Sequence, residues 1–235
     1  MGGIGKAVTE RLSKDGFRIG LLYHKTPKNE VGYFLQSLSG SGHLALSCDL
    51  TKEKEVFKAI SEMEKQMSRI DVCIHSAVSP IVRKRASDIN PKDFRDQFEV
   101  TLFGGLNLFQ KILPIMKKQK QGRIIALGTS ATSPSAGISG MSGYVCAKQA
   151  LQGLLRELSL ELFPYNIMVN TVAPTFVPTT LHKDLPEKVL SFIKDRIPTN
   201  TPEEVAEVVS FLCSQKASKL TGLSYSVGRI PPTQL

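Results

Sequence analysis

The chain has 235 residues, 41% of them hydrophobic, and its 30 lysines and arginines outnumber 21 acids for a formal net charge of +9. This is enough apolar content for one large α/β domain spanning residues 1–235. The sequence has no run of about 18 apolar residues and no signal-peptide pattern, which argues against a membrane span.

In chain order, a helix is expected over about Gly5 to Asp15, then a short apolar run, Phe17 to Tyr23, suited to a buried parallel strand. The runs His43–Cys48 and Asp71–Ile74 also read as strands. Helical patterns follow over Lys52–Ser68, Lys92–Lys118, Tyr144–Leu162, Leu185–Arg196 and Pro202–Ser214, with Thr51, Asn90 and Thr201 as caps for three of them. Between the second and third lies the strand-like run Gly122–Gly128, which ends in the hydroxyl pair Thr129-Ser130. Alternating strands and helices at this length predict a doubly wound parallel sheet in three layers, with ligands bound beyond the carboxyl ends of the strands. The cysteines, Cys48, Cys73, Cys146 and Cys213, are scattered without C-x-x-C spacing and are expected to be buried thiols in a reducing, cytoplasmic setting. The four histidines are equally dispersed, and no metal site is expected.

Tyr144-Val145-Cys146-Ala147-Lys148 carries the chemistry. Residues four apart share a helix face, so the phenol and the ammonium sit side by side. A nearby cation favours phenolate over phenol, and the expectation is that Lys148 lowers the Tyr144 pKa from about 10 toward neutrality. A hydroxyl at the end of the preceding strand then holds a carbonyl oxygen against this acid.

These motifs and their order resemble the short-chain dehydrogenase/reductase family along nearly the whole chain. Gly3-Ile4-Gly5 looks like the second half of its T-G-x-x-x-G-x-G cofactor loop, and Asp49-Leu50 like its adenine-contacting pair. Asp71–Ile74 is similar to its fourth strand, Val169–Pro174 to its sixth, and Thr221-Gly222 to the entry to its last. The resemblance implies a Rossmann-like fold. It also implies that the first strand and the opening Thr-Gly of the loop are absent, which would leave a gap in the sheet and points to a truncated start. Ser76 and Ala77 fall in the segment His75-Ser76-Ala77-Val78, where the family has Asn-Asn-Ala-Gly, and Thr101 stands at its catalytic Asn. Its catalytic Ser aligns with Thr129 counting from Gly122, or with Ser130 counting back from Tyr144. Pro174, Phe176 and Thr179 would line the nicotinamide, with a lid from Val177 to His182 onward. Lys148 would also hold the nicotinamide ribose. The final strand ends Ser226-Val227-Gly228 where the family has Asp-Gly-Gly.

Beyond the second strand of that family scheme stand His24, Lys25 and Thr26, with no acid before Glu30. An acid there would repel a 2′-phosphate, whereas Lys25 and Thr26 would bind one, so NADP(H) is expected over NAD(H). The basic run Ile81-Val82-Arg83-Lys84-Arg85 and the cluster Lys117, Lys118, Lys120 and Arg123 favour an acidic partner. The family's ketoacyl reductases dock acyl carrier protein with basic residues, making a 3-oxoacyl thioester on that carrier the preferred substrate. Nucleic acid is not expected, since no aromatic interleaving or binding motif accompanies the charge. The alternative reading is a degenerate, non-catalytic member that supports an active partner subunit. Either way the family implies a homodimer or homotetramer, or a hetero-oligomer, paired through the helices of Lys92–Lys118 and Tyr144–Leu162, with Gly104, Gly105 and Gly153 allowing close approach.

Overall fold

The computed structural model describes residues 2–133, 139–196 and 199–228. Helix α1 (Gly3–Lys14), strand β1 (Gly20–Tyr23), helix α2 (Lys28–Gln36), strand β2 (Leu44–Ser47), helix α3 (Glu53–Met67) and strand β3 (Val72–His75) make the first half. Helix α4 (Pro91–Phe98) runs through a π-helical turn, Glu99–Phe103, into α5 (Gly104–Gln119). Strand β4 (Gly122–Leu127), helix α6 (Ser142–Leu162), strand β5 (Ile167–Pro174), helices α7 (Glu187–Arg196) and α8 (Pro202–Cys213) and strand β6 (Ser224–Val227) complete it.

All strand pairings are parallel. They form two pieces, β1–β2 and β3–β4–β5–β6, and among the described residues no strand is hydrogen-bonded between them. Every residue of β4 and β5 is buried. Such strands show continuous apolar character because helices cover both faces. Successive side chains point to opposite faces. Ile124 and Ala126 therefore join the core under α3, α5 and α6. Ile125 and Leu127 join the core under α1 and α8. The result is the expected three-layer sandwich.

Several local expectations are corrected. Thr51 does not cap α3: its hydroxyl and backbone N–H both donate to Asp49, at 2.8 and 3.0 Å, and Lys52 holds the cap position. Asn90 does cap α4, and Thr201 forms a capping box with Glu204. The single helix expected over Lys92–Lys118 is interrupted by the π turn. Helix α2 was not anticipated, because it buries only Val31 and Phe34 and carries Gly32 at its centre. Arg123 belongs to no surface cluster; it is 5% exposed on β4, where its Nη1 donates to the Gly122 carbonyl. Cys146 is exposed, unlike the other three cysteines, because it sits on the outer face of α6. Gly104 and Gly105 make their close approaches inward: a Cβ there would lie 3.0 Å from Leu50 Cβ and 3.1 Å from the His75 ring. They pack the chain on itself, and Gly153 has open space beside it. No helix among the described residues is long and apolar enough to cross a membrane.

Candidate active site

The carboxyl ends of β3, β4 and β5 carry the residues singled out in the sequence. Thr129 follows β4, and its Oγ1 accepts from Ala131 N–H at 3.2 Å, opening the turn Ser130–Thr132. The Thr129 hydroxyl is hydrogen-bonded to the Tyr144 phenol. Between the two hydroxyls expected at this position, Thr129 is thus the one held against the tyrosine, while Ser130 starts the turn. Tyr144 and Lys148 are buried on the same face of α6, at 8% and 4% exposure. Lys148 Nζ donates to the Leu127 carbonyl at 2.6 Å and lies 6.0 Å from the Tyr144 ring centroid.

The electrostatics differ from the sequence expectation. Burial raises the Tyr144 pKa above its ordinary value, and the Thr129 hydrogen bond and the Arg83 guanidinium pull it back in part. Burial also lowers Lys148 to about 8, because its ammonium has left water for a single carbonyl partner.

A second group of residues forms a cradle around the start of α1. Gly2 occupies the cap position with no side-chain cap, and the first turn carries no acid. The first N–H groups of a helix, together with its dipole, attract an anion. A Cβ on Gly3 would lie 2.8 Å from Thr179 Cγ2, and one on Gly5 would lie 3.1 Å from Ser76 Oγ. Gly3, Ile4, Gly5, Ser76 and Thr179 therefore converge from three segments, and Thr179 and Ser76 approach the start of α1 this closely only because the glycines lack side chains. Pro174 ends β5, and the Phe176 ring packs tilted against His182 with centroids 4.6 Å apart. At the ends of β1 and β2, paired Tyr23↔Ser47, His24 Nδ1 lies 3.8 Å from Asp49 Oδ2. Burial pushes Asp49 upward, but the Thr51 hydrogen bonds, with His24 and Lys52, hold it below the usual carboxylate value. Leu50 packs on Gly104, and its carbonyl accepts from Asn107. Lys25 is exposed, and Thr26 and Ala77 are partly buried. These residues fit a dinucleotide laid across the strand ends.

Thr101 sits in the π turn, fully buried. Its carbonyl accepts from His75 Nε2 at 2.9 Å, while its own Oγ1 and His75 Nδ1 have no hydrogen-bond partner among the described residues. Burial, with the Lys148 charge, pushes His75 down to about 4, so it is neutral near pH 7. Sequence reasoning noted His75 only as a departure from a motif. The pairing needed the π turn, which no local signal announced. Arg83 was read as part of a docking patch, yet it pairs with Asp184, and Lys84 pairs with Asp93. Lys117 likewise pairs with Glu161.

A parallel sheet that presents an uncapped glycine-rich helix start and a buried tyrosine–lysine pair along one edge defines a dinucleotide-dependent oxidoreductase. Residues 1–228 match the family model described as enoyl-(acyl carrier protein) reductase. The chain belongs to the short-chain dehydrogenase/reductase family, whose members are NAD(P)-dependent oxidoreductases acting on alcohol and carbonyl groups. It is 32% identical over 225 residues to the 3-oxoacyl-[acyl-carrier-protein] reductase FabG of Aquifex aeolicus, covering 94% of this chain and 89% of that one. It is also 32% identical over 225 residues to an NAD-dependent glycerol dehydrogenase of Listeria innocua, covering 94% and 86%. Among solved structures, a 3-ketoacyl-(acyl-carrier-protein) reductase from Brucella melitensis complexed with NADH superposes with a TM-score of 0.88, covering 97% of this chain and 93% of that one at 22% identity.

Proposed function

We propose that the chain, acting as one domain, reduces a carbonyl to an alcohol with NADPH, and that its substrate is a 3-oxoacyl thioester on acyl carrier protein. The observation that carries the reading is the Thr129 hydroxyl bonded to the buried Tyr144 phenol beside Lys148. In this arrangement the Thr129 hydroxyl donates to the carbonyl oxygen and favours the negative charge that develops there. Tyr144 gives that oxygen its proton. Lys148, at about 8, exchanges a proton near neutral pH and would also hold a ribose hydroxyl of the cofactor. Pro174, Phe176 and Thr179 would hold a nicotinamide, whose chemistry would be delivery of a hydride to the carbonyl carbon.

The carrier-bound substrate is supported by the 3-oxoacyl-[acyl-carrier-protein] reductases among the relatives. Exposed Lys25, with no acid before Glu30, supports NADP(H). The NAD-dependent glycerol dehydrogenase is a relative of the opposite cofactor preference, so the cofactor needs its own arm of the test. A second reading, a non-catalytic partner subunit within a homo- or hetero-oligomer, is favoured by Thr101 at the position of the family's Asn. The experiment is consumption of NADPH, and separately of NADH, with a 3-oxoacyl carrier-protein thioester and with a small ketone. Turnover of the thioester with NADPH at least about tenfold over NADH is expected. Turnover of the ketone alone removes the carrier proposal, and no nucleotide oxidation in any arm favours the partner subunit.

A further inference from the structure

Arg83 lies where three segments meet near the start of α6. Its neighbour Lys84 donates its backbone N–H to the Gly140 carbonyl at 2.9 Å, and Lys84 bridges to Met141. Gly140 adopts φ +82°, a left-handed conformation that suits glycine, and α6 with Tyr144 begins two residues later. This pins the Arg83 backbone beside the start of the helix that carries the proton donor.

The side chain reaches the other way. Nη1 donates to both oxygens of Asp184, at 3.2 and 3.0 Å, and Nη2 donates to His182 Nδ1 at 2.7 Å. His182 packs tilted against Phe176, just beyond β5, and is pushed down to about 4 by burial and by Arg83, so the imidazole is neutral near pH 7 and its Nδ1 accepts. The planar fork of a guanidinium makes these contacts together, which an ammonium cannot do. The Arg83 side chain is 21% exposed and that of Asp184 56%, so the cation is sheltered while its acid partner faces water.

We propose that Arg83 is a latch residue, fastening the Thr179–Asp184 turn to the segment that pairs with the start of α6. The proposal stands apart from the reductase reading above. His182 and Asp184 take the guanidinium, and Asp93 on α4 is paired with Lys84.

The test compares Arg83→Ala, Arg83→Lys and Asp184→Asn in the full chain. Tryptic cleavage after the exposed Lys183 reports the latch without any need for turnover. Loss of the ion pair and its hydrogen bonds should speed that cleavage about tenfold in Arg83→Ala and severalfold in the other two. Unchanged cleavage in Arg83→Ala and Asp184→Asn overturns the proposal. If the unaltered chain reduces no carbonyl, the reductase reading fails by itself, and the Lys183 cleavage rates alone decide the latch.

Discussion

Replacing Tyr144 with Phe removes one oxygen and leaves the rest of the site standing. The ring is 8% exposed and keeps its packing on α6, so the structural loss is the hydrogen bond to Thr129. Such a bond is worth about 1 kcal/mol net, which in a domain of this size lowers Tm by about 2–4 °C. The kinetic loss is of another order. A positioned general acid contributes about 10²–10⁴ in rate, or roughly 3–5 kcal/mol of barrier. The expected result is a chain that melts within a few degrees of its parent and loses at least about a hundredfold in kcat, followed by nucleotide absorbance at saturating substrate. Because the phenol gives its proton only in the transition state, kcat and kcat/KM should fall together. A variant with kcat within about threefold of the parent would refute the assignment of Tyr144 as the acid, however well the pocket is formed.

The two hydroxyls after β4 separate cleanly: Thr129→Val should cost about 10²-fold in kcat by removing a donor from the carbonyl oxygen, whereas Ser130→Ala should stay within about threefold. Gly3→Val places a side chain where Thr179 already sits, 2.8 Å from a Cβ, and is expected to raise the nucleotide Kd by at least about tenfold, read by quenching or enhancement of NADPH fluorescence. The same change leaving Kd intact would remove the α1 cradle from the cofactor site. His75 and His182 are both depressed from 6.5 to about 4 by burial, with Lys148 and Arg83 adding to it. Between those values the unfolded chain binds more protons than the folded one, so stability present at pH 7 is lost as pH falls from about 6.5 toward 4. Urea midpoints at pH 7 and pH 4.5 should therefore differ less in the His75→Gln, His182→Gln double variant than in the parent.

Local pattern carried much of the architecture. The buried runs in β4 and β5 are legible because a strand covered on both faces is mostly apolar, with Arg123, Asn170 and Thr171 as its buried polar exceptions. Asn90 and Thr201 are legible as caps because a side-chain oxygen before a helical period has one obvious use. Helix α2 was missed since two buried residues make too weak a period, and Thr51 was misread since its hydroxyl serves Asp49 just upstream instead of the helix ahead. The π turn at Glu99–Phe103 could not be anticipated from helix-forming residues, which suit either winding.

By itself, the sequence determined that Tyr144 and Lys148 share a helix face, that a hydroxyl follows β4 and that glycines open α1, because spacing along one element fixes which side chains are neighbours. Only the tertiary structure decided that Thr129 rather than Ser130 meets the phenol, that Lys148 is dried out and bound to Leu127, and that Arg83 joins Asp184 across 101 positions of sequence. Charge and pKa depend on what lies across a loop and how much water remains, and neither is written in the local pattern of residues.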